Sequence, residues 1–120
     1  MIINMKPKVM SILNSIEELK LSSTTYPDEW SKFPMAVYST VHEPYFVNAE
    51  QHEGQTKWQI TVELYSDTGS LTLITEKLRT AFAGLGFFGT TTDANTAGLK
   101  RVVCRFSAVV DNDTFHVYQK

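Results

Sequence analysis

Cysteine and long apolar runs are scarce in this sequence. Cys104 is the single cysteine, and one thiol cannot close an internal disulfide, so the fold does not depend on an oxidising compartment. No segment approaches the roughly 20 apolar residues that a membrane-spanning helix requires. The N-terminus also lacks the basic start, apolar block and small-residue cleavage site of a signal peptide. These absences predict a chain that is made and folded in the cytoplasm.

An excess of either charge is missing as well. The 120 residues carry 11 basic and 13 acidic side chains, which gives a net charge of -2. This balance provides no general attraction to nucleic acid or to an anionic membrane, although it leaves room for a local basic patch. With 42% hydrophobic residues, a chain of this length can bury a stable core without disulfides or bound metal ions. The length of the chain also predicts a single domain over residues 1–120.

Patterns typical of a catalytic or metal site are missing too. The three histidines, His42, His52 and His116, fit no metal-binding spacing. His42 and His52 each precede a glutamate, but the partner histidine that zinc metalloproteases place one helical turn later is absent. Cys104 lies in the middle of an apolar strand pattern, which predicts a buried and unreactive thiol. We therefore predict surface histidines, no catalytic residue, no metal site and no cofactor.

Two segments show the spacing of amphipathic helices. The first runs from about Met5 to Leu19, and the residues before Met5 add little to its apolar stripe. The second carries apolar residues at helical spacing from Leu71 to Leu85 and stops at Gly86, where a left-handed cap costs little. Ser66, Asp67 or Thr68 is the predicted N-cap of this second helix; these residues precede it in the string SDTG. The segment LSSTTYPDEWSKFP between the first helix and the first strand is predicted to be a connection.

The strands show period-two patterns. Met35–Val41 alternates moderately, Tyr45–Val47 continues it at a sheet edge, and a polar loop is predicted through Gln55. Trp58, Ile60, Val62 and Leu64 share one buried face of a clear strand. The string LKRVVCRFSAVV predicts a further strand, preceded by the threonine-rich loop GTTTDANTAG. The turn DNDT then joins it to a short final strand, FHVYQ, as an antiparallel hairpin.

The element order is therefore αββαββ. Strands and helices do not alternate as they do in a parallel doubly wound sheet. The predicted fold class is α+β, with a mainly antiparallel sheet of about four strands and two helices packed on one face.

Two surfaces have the composition of an interaction site. Tyr45, Phe46 and Val47 either extend the buried strand or form an exposed apolar cluster that contacts a partner. Arg101 and Arg105 share one face of the last long strand. RNA-binding sheets place exposed aromatic residues between such basic side chains, whereas this strand has a valine there. A solvated face, or a contact with carboxylates of a partner, is the preferred interpretation.

Five features along the chain form a recognisable series. They are an N-terminal helix, an F-P-x-A-V-Y strand, a W-x-I-x-V-x-L-Y-S-D strand, an amphipathic helix ending in G-L-G-F, and an R-F-S-A-V-V-D strand. The residues that carry them are Phe33, Pro34, Ala36, Val37, Tyr38, Trp58, Ile60, Val62, Leu64, Tyr65, Ser66, Gly84, Leu85, Gly86, Phe87, Arg105, Phe106, Ser107 and Asp111. The series covers nearly the whole chain and resembles the tail-completion proteins of long-tailed phages, also called tail terminators or tail-to-head joining proteins.

This resemblance implies a structural role without catalysis or cofactor. Such proteins form a hexameric ring on the finished tail tube, stop its growth and present the surface that docks to the filled head. The implied partners are other copies of the chain, the tail-tube protein and the head-tail connector, while genome DNA passes through the ring without sequence recognition. The implied location is the head-tail junction of the virion, after synthesis in the bacterial host cytoplasm. Interface residues expected on this basis are Tyr45, Phe46, Asn48, Glu50, His52, Glu53, Arg101 and Arg105.

Other functions stay open at this point. A neck or head-closure protein has a similar size and an equally plain composition, and a tail-tube protein has a related fold but is usually longer, with a larger sheet. A small nuclease or hydrolase would use His52, Glu53 or Asp93 in a concave pocket. A monomeric peptide-binding module would use Tyr45 and Phe46.

Overall fold

A computed structural model of the chain describes residues 3–19, 21–24, 33–47, 53–67, 70–95 and 99–118. Two helices and six strands lie within these residues. In chain order they are α1 (Lys6–Ser15), β1 (Leu21–Ser23), β2 (Met35–Val47), β3 (Glu53–Ser66), α2 (Thr72–Gly84), β4 (Phe88–Asp93), β5 (Lys100–Asp111) and β6 (Val117–Tyr118).

The strands form one sheet in the order β1-β2-β3-β5-β4, and the short β6 also pairs with β5. All of these pairs are antiparallel except β1 with β2, which is parallel. The α+β class and the mainly antiparallel sheet are thus confirmed. The predicted hairpin between the last two strands is confirmed as well, because Val110 pairs with Val117 across the turn.

The predicted number of strands was wrong because two strands lie in segments that were predicted to be connections. Leu21–Ser23 pairs with Met35–Val37, although it is only three residues long. Phe88–Asp93 pairs with β5 along its length, and its threonines are β-branched residues that suit a strand. Most of the connection between β1 and β2 lies outside the described residues.

The core lies between one face of the sheet and the two helices. Trp58, Ile60, Val62 and Leu64 are all buried there, as their alternation predicted. Val9 and Leu13 of α1 and Ile74, Leu78 and Phe82 of α2 belong to the same cluster. Phe82 stacks on Phe106 of β5 with ring centroids 4.4 Å apart. Burying each large apolar side chain stabilises the fold by about 1.5–3 kcal/mol, so both helices are held to this face by hydrophobic packing.

The opposite face of the sheet carries a smaller apolar cluster at one end. Met35, Val37 and Tyr65 are buried there, and Phe33 and Leu99 pack against them. We call this side the open face, because no described helix packs on it.

The first helix is shorter than predicted. It ends at Ser15, and Ile16 has extended backbone with φ -89° and ψ 106°. Ile16 is nevertheless buried, so the apolar stripe continues past the helix as a turn. The residues before Met5 also contribute more than predicted, since Ile3 packs against the core and its N–H donates to Asn112 Oδ1 at 3.0 Å.

The second helix begins later than predicted and ends as predicted. β3 extends through Ser66, and the helix starts at Thr72 with Leu71 at the N-cap, so the predicted caps Ser66 and Asp67 were wrong and Thr68 lies outside the described residues. Ser70 Oγ instead accepts the Thr72 N–H at 3.2 Å. At the C-terminal end, Gly86 has φ +90°, a left-handed conformation that favours glycine.

Candidate functional site

The hairpin formed by β2 and β3 is long, and its two strands differ in burial, since Gly54 and Thr56 of β3 are buried whereas the residues of β2 that face them are exposed. The 13 residues of β2 span about 43 Å at about 3.3 Å per residue. Its first four residues are buried, whereas every residue from Val41 to Val47 is exposed. We call Glu43–Val47 together with Glu53–Lys57 the distal hairpin. The polar loop predicted through Gln55 is wrong at its end, because β3 already begins at Glu53 and pairs with Val47.

The distal hairpin carries exposed apolar side chains near its tip. Tyr45, Phe46 and Val47 have exposed fractions of 42%, 56% and 46%. The Phe46 ring lies over Gly54, which leaves one side of the ring in solvent. Of the two interpretations of this segment, the strand continuation is correct for the backbone and the exposed apolar cluster is correct for the side chains. An exposed cluster of this kind is typical of an interaction surface.

The β3 strand of the distal hairpin is held by hydrogen bonds to the turn between β5 and β6. Asn112 donates its side-chain amide to the Glu53 carbonyl oxygen at 3.1 Å and to Thr56 Oγ1 at 2.9 Å. Its backbone N–H donates to the Gly54 carbonyl oxygen at 2.8 Å. The Thr56 hydroxyl also donates to the Glu53 carboxylate, so a completely buried threonine has partners on both sides. Asn112 was not among the predicted site residues.

The DNDT turn that holds Asn112 is itself stabilised by a side chain. Backbone N–H groups of Thr114 and Asp113 donate to Asp111 Oδ1 at 3.1 Å and 3.0 Å. These bonds lower the pKa of Asp111 below its ordinary value. The charged carboxylate therefore keeps the turn in the shape that brings Asn112 to the hairpin.

Arg101 and Arg105 lie on the open face of β5, as predicted, but their surroundings differ. Arg101 forms an ion pair with Glu63, and its guanidinium lies 5.9 Å from the Tyr65 ring centroid. The hydrogen bond with Glu63 raises the pKa of Arg101. Arg105 is exposed and lies opposite Thr61 and Thr90 on the neighbouring strands. Arg105 is therefore the more accessible of the two charges.

The residues of the hydrolase hypothesis do not form a common site in the described part of the chain. Glu53 is the first residue of β3 and pairs with Val47 in the distal hairpin, and His52 lies outside the described residues. Asp93 lies in a polar cleft beside the first turn of α2, together with Glu76 and Lys100. Through β5, Asp93 is level with Leu64, which is eleven residues from Glu53 along β3, or about 36 Å.

The predicted surface positions of His42 and His116 are confirmed. His42 is exposed, with its ring centroid 4.6 Å from that of Trp58, and His116 is exposed near β6. Asn48 and Glu50 lie outside the described residues. Cys104 is completely buried, and burial raises the pKa of its thiol to about 11, so the prediction of a buried thiol is confirmed.

Four larger apolar side chains outside the cluster of Tyr45, Phe46 and Val47 are also exposed among the described residues, namely Val41, Leu73, Phe88 and Phe115. Val41 on β2 has an exposed fraction of 64%, and Phe88 on β4 has one of 52%. Val41 was recognisable as an outer position of a strand near a sheet edge. Phe88 follows the core residue Phe87, and adjacent residues on an extended chain point to opposite sides, so one of the two had to face away from the core.

Metal-binding clusters and membrane-spanning helices are both absent from the described residues. No group of three or more histidine, cysteine, aspartate or glutamate side chains there could hold a metal ion. Neither helix described is long and apolar enough to cross a bilayer. No protein-family model and no curated protein matches the sequence.

Proposed function

We propose that this chain is a structural component of a phage or prophage tail. In this proposal it forms a ring, with six subunits expected, that caps the tail tube and joins it to the head. The resemblance of its strand and helix motifs to tail-completion proteins is the origin of the proposal. The observation that carries it in the structure is the cluster of exposed apolar side chains, Tyr45, Phe46 and Val47, on the β2 strand of the distal hairpin.

The hairpin supports an assembly role because its apolar side chains are costly in a solitary protein. Tyr45, Phe46 and Val47 form one exposed cluster. A partner that removes this cluster from water stabilises the complex by about 25 cal/mol for each Å² of apolar surface buried. Asn112 bonds to Glu53 and Thr56 on the β3 strand that pairs with the cluster, and these bonds favour one orientation of the cluster. A preorganised surface loses less conformational entropy on binding than a flexible loop.

Arg101 and Arg105 have different roles in this proposal, because their surroundings differ. Arg101 is already paired with Glu63, whereas Arg105 is exposed on the open face. In a ring whose open face lined the channel, Arg105 would contact passing DNA through phosphate groups without sequence recognition. The net charge of -2 does not make this channel strongly basic.

Electron microscopy of lysates from a phage or prophage that lacks this gene tests the proposal. The expected result is filled heads beside unjoined, overlong tails, with intact virions restored by a plasmid copy of the gene. Unjoined tails of normal length would favour a neck role, and lysates without tails would favour a tail-tube role. Intact virions in the deletion strain would contradict all three.

A tip variant ties the function to the hairpin. Val47 and Glu53 pair directly, so replacing residues 48–52 with Asn-Gly gives a two-residue turn that fits the two strands. A deletion reaching Gln55 would instead remove Gly54 and Glu53, which bond to Asn112. We expect the tip variant to fold with an unchanged melting temperature and to fail in complementation. Full complementation would exclude the tip from the joining surface.

A further inference from the structure

The sheet has two edges that are open among the described residues. On one side, β1 pairs with β2 only at Met35–Val37, and no described strand pairs with β2 from Tyr38 onwards. On the other side, β4 pairs with β5 alone. An edge strand exposes backbone donors and acceptors, and it readily pairs with a strand of another chain.

The strand directions make these two edges complementary. β2, β3, β5 and β4 are each antiparallel to the next, so β2 and β4 run in opposite directions. If a second copy is placed beside the first in the same orientation, its β4 runs antiparallel to the β2 of the first copy. The sheet then continues across the junction, and the helices of both copies stay on the same side.

The exposed apolar residues of the two edges lie at the same level of the sheet. Val41 pairs with Gln59, Gln59 pairs with Ser107, and Ser107 pairs with Phe88. Directly paired residues share a face, so Val41 and Phe88 both lie on the open face. Their exposed fractions of 64% and 52% are among the largest for apolar side chains in the described residues.

The lengths of the two edges also agree. The six residues Tyr38–Glu43 lie between the part of β2 that β1 covers and Pro44, and β4 has six residues. Without a shift between copies, Val41 lies directly opposite Phe88. With a shift of two residues, all six residues of β4 pair with Tyr38–Glu43, and Val41 is diagonal to Phe88. Aromatic side chains reach both direct and diagonal neighbours across antiparallel strands.

We propose that copies of this chain assemble by antiparallel pairing of the β2 edge, over Tyr38–Glu43, with the β4 edge of the next copy, so that Val41 and Phe88 of neighbouring copies pack together on the open face. The contact uses two different surfaces, so it repeats head to tail and can close into a ring. The inference deepens the proposed function and depends on it only in requiring that the chain associates with itself.

Engineered cysteines test the pairing in the full chain at high concentration. In a Cys104→Ala background, the pair Val41→Cys with Phe88→Cys reports the unshifted register, and Val41→Cys with Thr90→Cys reports the shifted one. We expect one of these double variants to give a ladder of covalent oligomers on mild oxidation. The control pair Thr40→Cys with Phe88→Cys places the thiols on opposite faces and should stay uncrosslinked.

Two further outcomes separate this contact from its alternatives. Val41→Cys alone should give no covalent dimer, and a dimer would establish symmetric pairing of two β2 edges, which contradicts the proposal. Phe88→Asp should weaken self-association at least tenfold. Leu73→Asp is the matched control, because Leu73 is an exposed apolar residue of α2, one helical turn from Lys77, which pairs with Glu18, and it belongs to neither sheet edge.

The two proposals fail in different ways. Association without either predicted crosslink overturns this interface, and a chain that stays monomeric at every concentration overturns it too. The tail function is decided separately by the deletion lysates, where unjoined tails would support it whichever surfaces form the ring.

Discussion

Asn112 donates its side-chain amide to Thr56 Oγ1, 2.9 Å away and 56 residues earlier in the chain. The same amide group donates to the Glu53 carbonyl oxygen, and Asn112 Oδ1 accepts the N–H of Ile3. One side chain therefore joins the N-terminal segment, the β5–β6 turn and the β3 strand of the distal hairpin. These bonds hold the strand with which the exposed cluster of Tyr45, Phe46 and Val47 is paired.

Replacing Asn112 with alanine should destabilise the protein. The substitution leaves the buried Thr56 hydroxyl and the Glu53 carbonyl without this donor, which costs about 1–3 kcal/mol of unfolding free energy. Urea unfolding followed by circular dichroism measures the loss. Asn14→Ala, at an exposed position of α1, is the control and should change stability by less than about 0.5 kcal/mol. Equal midpoints for the two variants would show that Asn112 does not fasten the hairpin.

Gly89 is the position in β4 where a side chain cannot fit. A Cβ there would lie 1.6 Å from the Arg105 carbonyl oxygen, so Gly89→Ala forces β4 away from β5. We expect a loss of about 3 kcal/mol, at the upper end of the cost of overpacking. Gly84→Ala is the matched variant, since a Cβ at that position meets no atom within 4 Å, and it should leave stability equal or slightly higher. Thermal unfolding of both variants compares them, and an unchanged Gly89→Ala would mean that β4 pairs less closely than described.

Ile60 tests which face of β3 forms the core. It is fully buried between the sheet and the helices, so Ile60→Ala should cost about 2–5 kcal/mol in chemical unfolding. Its neighbour Gln59 lies on the open face and is exposed, and Gln59→Ala should change stability by less than about 0.5 kcal/mol. A loss well below about 1 kcal/mol for Ile60→Ala would contradict the assignment of the core face.

Cys104 should resist thiol reagents until the protein unfolds. Its thiol is buried, and its pKa is raised from the ordinary 9.0 to about 11. At pH 8, iodoacetamide should label the chain rapidly in urea and hardly at all in buffer, as mass spectrometry would show. Labelling at equal rates in both would place Cys104 at the surface.

The same pKa shift predicts how the free energy of unfolding changes with pH. Above pH 9 the thiol ionises in the unfolded chain but stays neutral in the folded one. The contribution of Cys104 to the free energy of unfolding is therefore complete below pH 9 and declines as pH rises through about 11. The Cys104→Ala variant has no thiol, so its free energy of unfolding lacks this pH-dependent contribution. The stability difference between the natural chain and that variant should therefore shrink over this range, whereas a constant difference would contradict the shift.

The parts of the fold that the sequence predicted are those with a local period. The alternation of Trp58, Ile60, Val62 and Leu64 defined β3, and helical spacing up to a glycine defined α2. β4 had no such pattern, because the residues that it turns toward the helices are Gly89, Thr91 and Asp93 rather than apolar ones. β1 has three residues and exists through its pairing with β2, which no local signal reveals.

The candidate site was predictable only in part for a related reason. Tyr45 and Phe46 stood out because they are aromatic residues beside a polar loop. The contacts of Asn112 connect residues 56, 59 and 109 positions apart, and no spacing rule covers such distances. The common level of Val41 and Phe88 requires the registers of three strand pairs, which depend on the packing of the whole sheet.

Pro44 gives the long edge of β2 a protection against uncontrolled aggregation. Proline has no backbone N–H, and the register of β2 shifts twice directly after it, between Pro44 and Phe46 and between Phe46 and Val47. A foreign strand that adds to this edge finds regular pairing over six residues and then loses it. An unbroken apolar edge is a template for fibril growth, whereas Pro44 ends regular pairing before the exposed residues Tyr45, Phe46 and Val47.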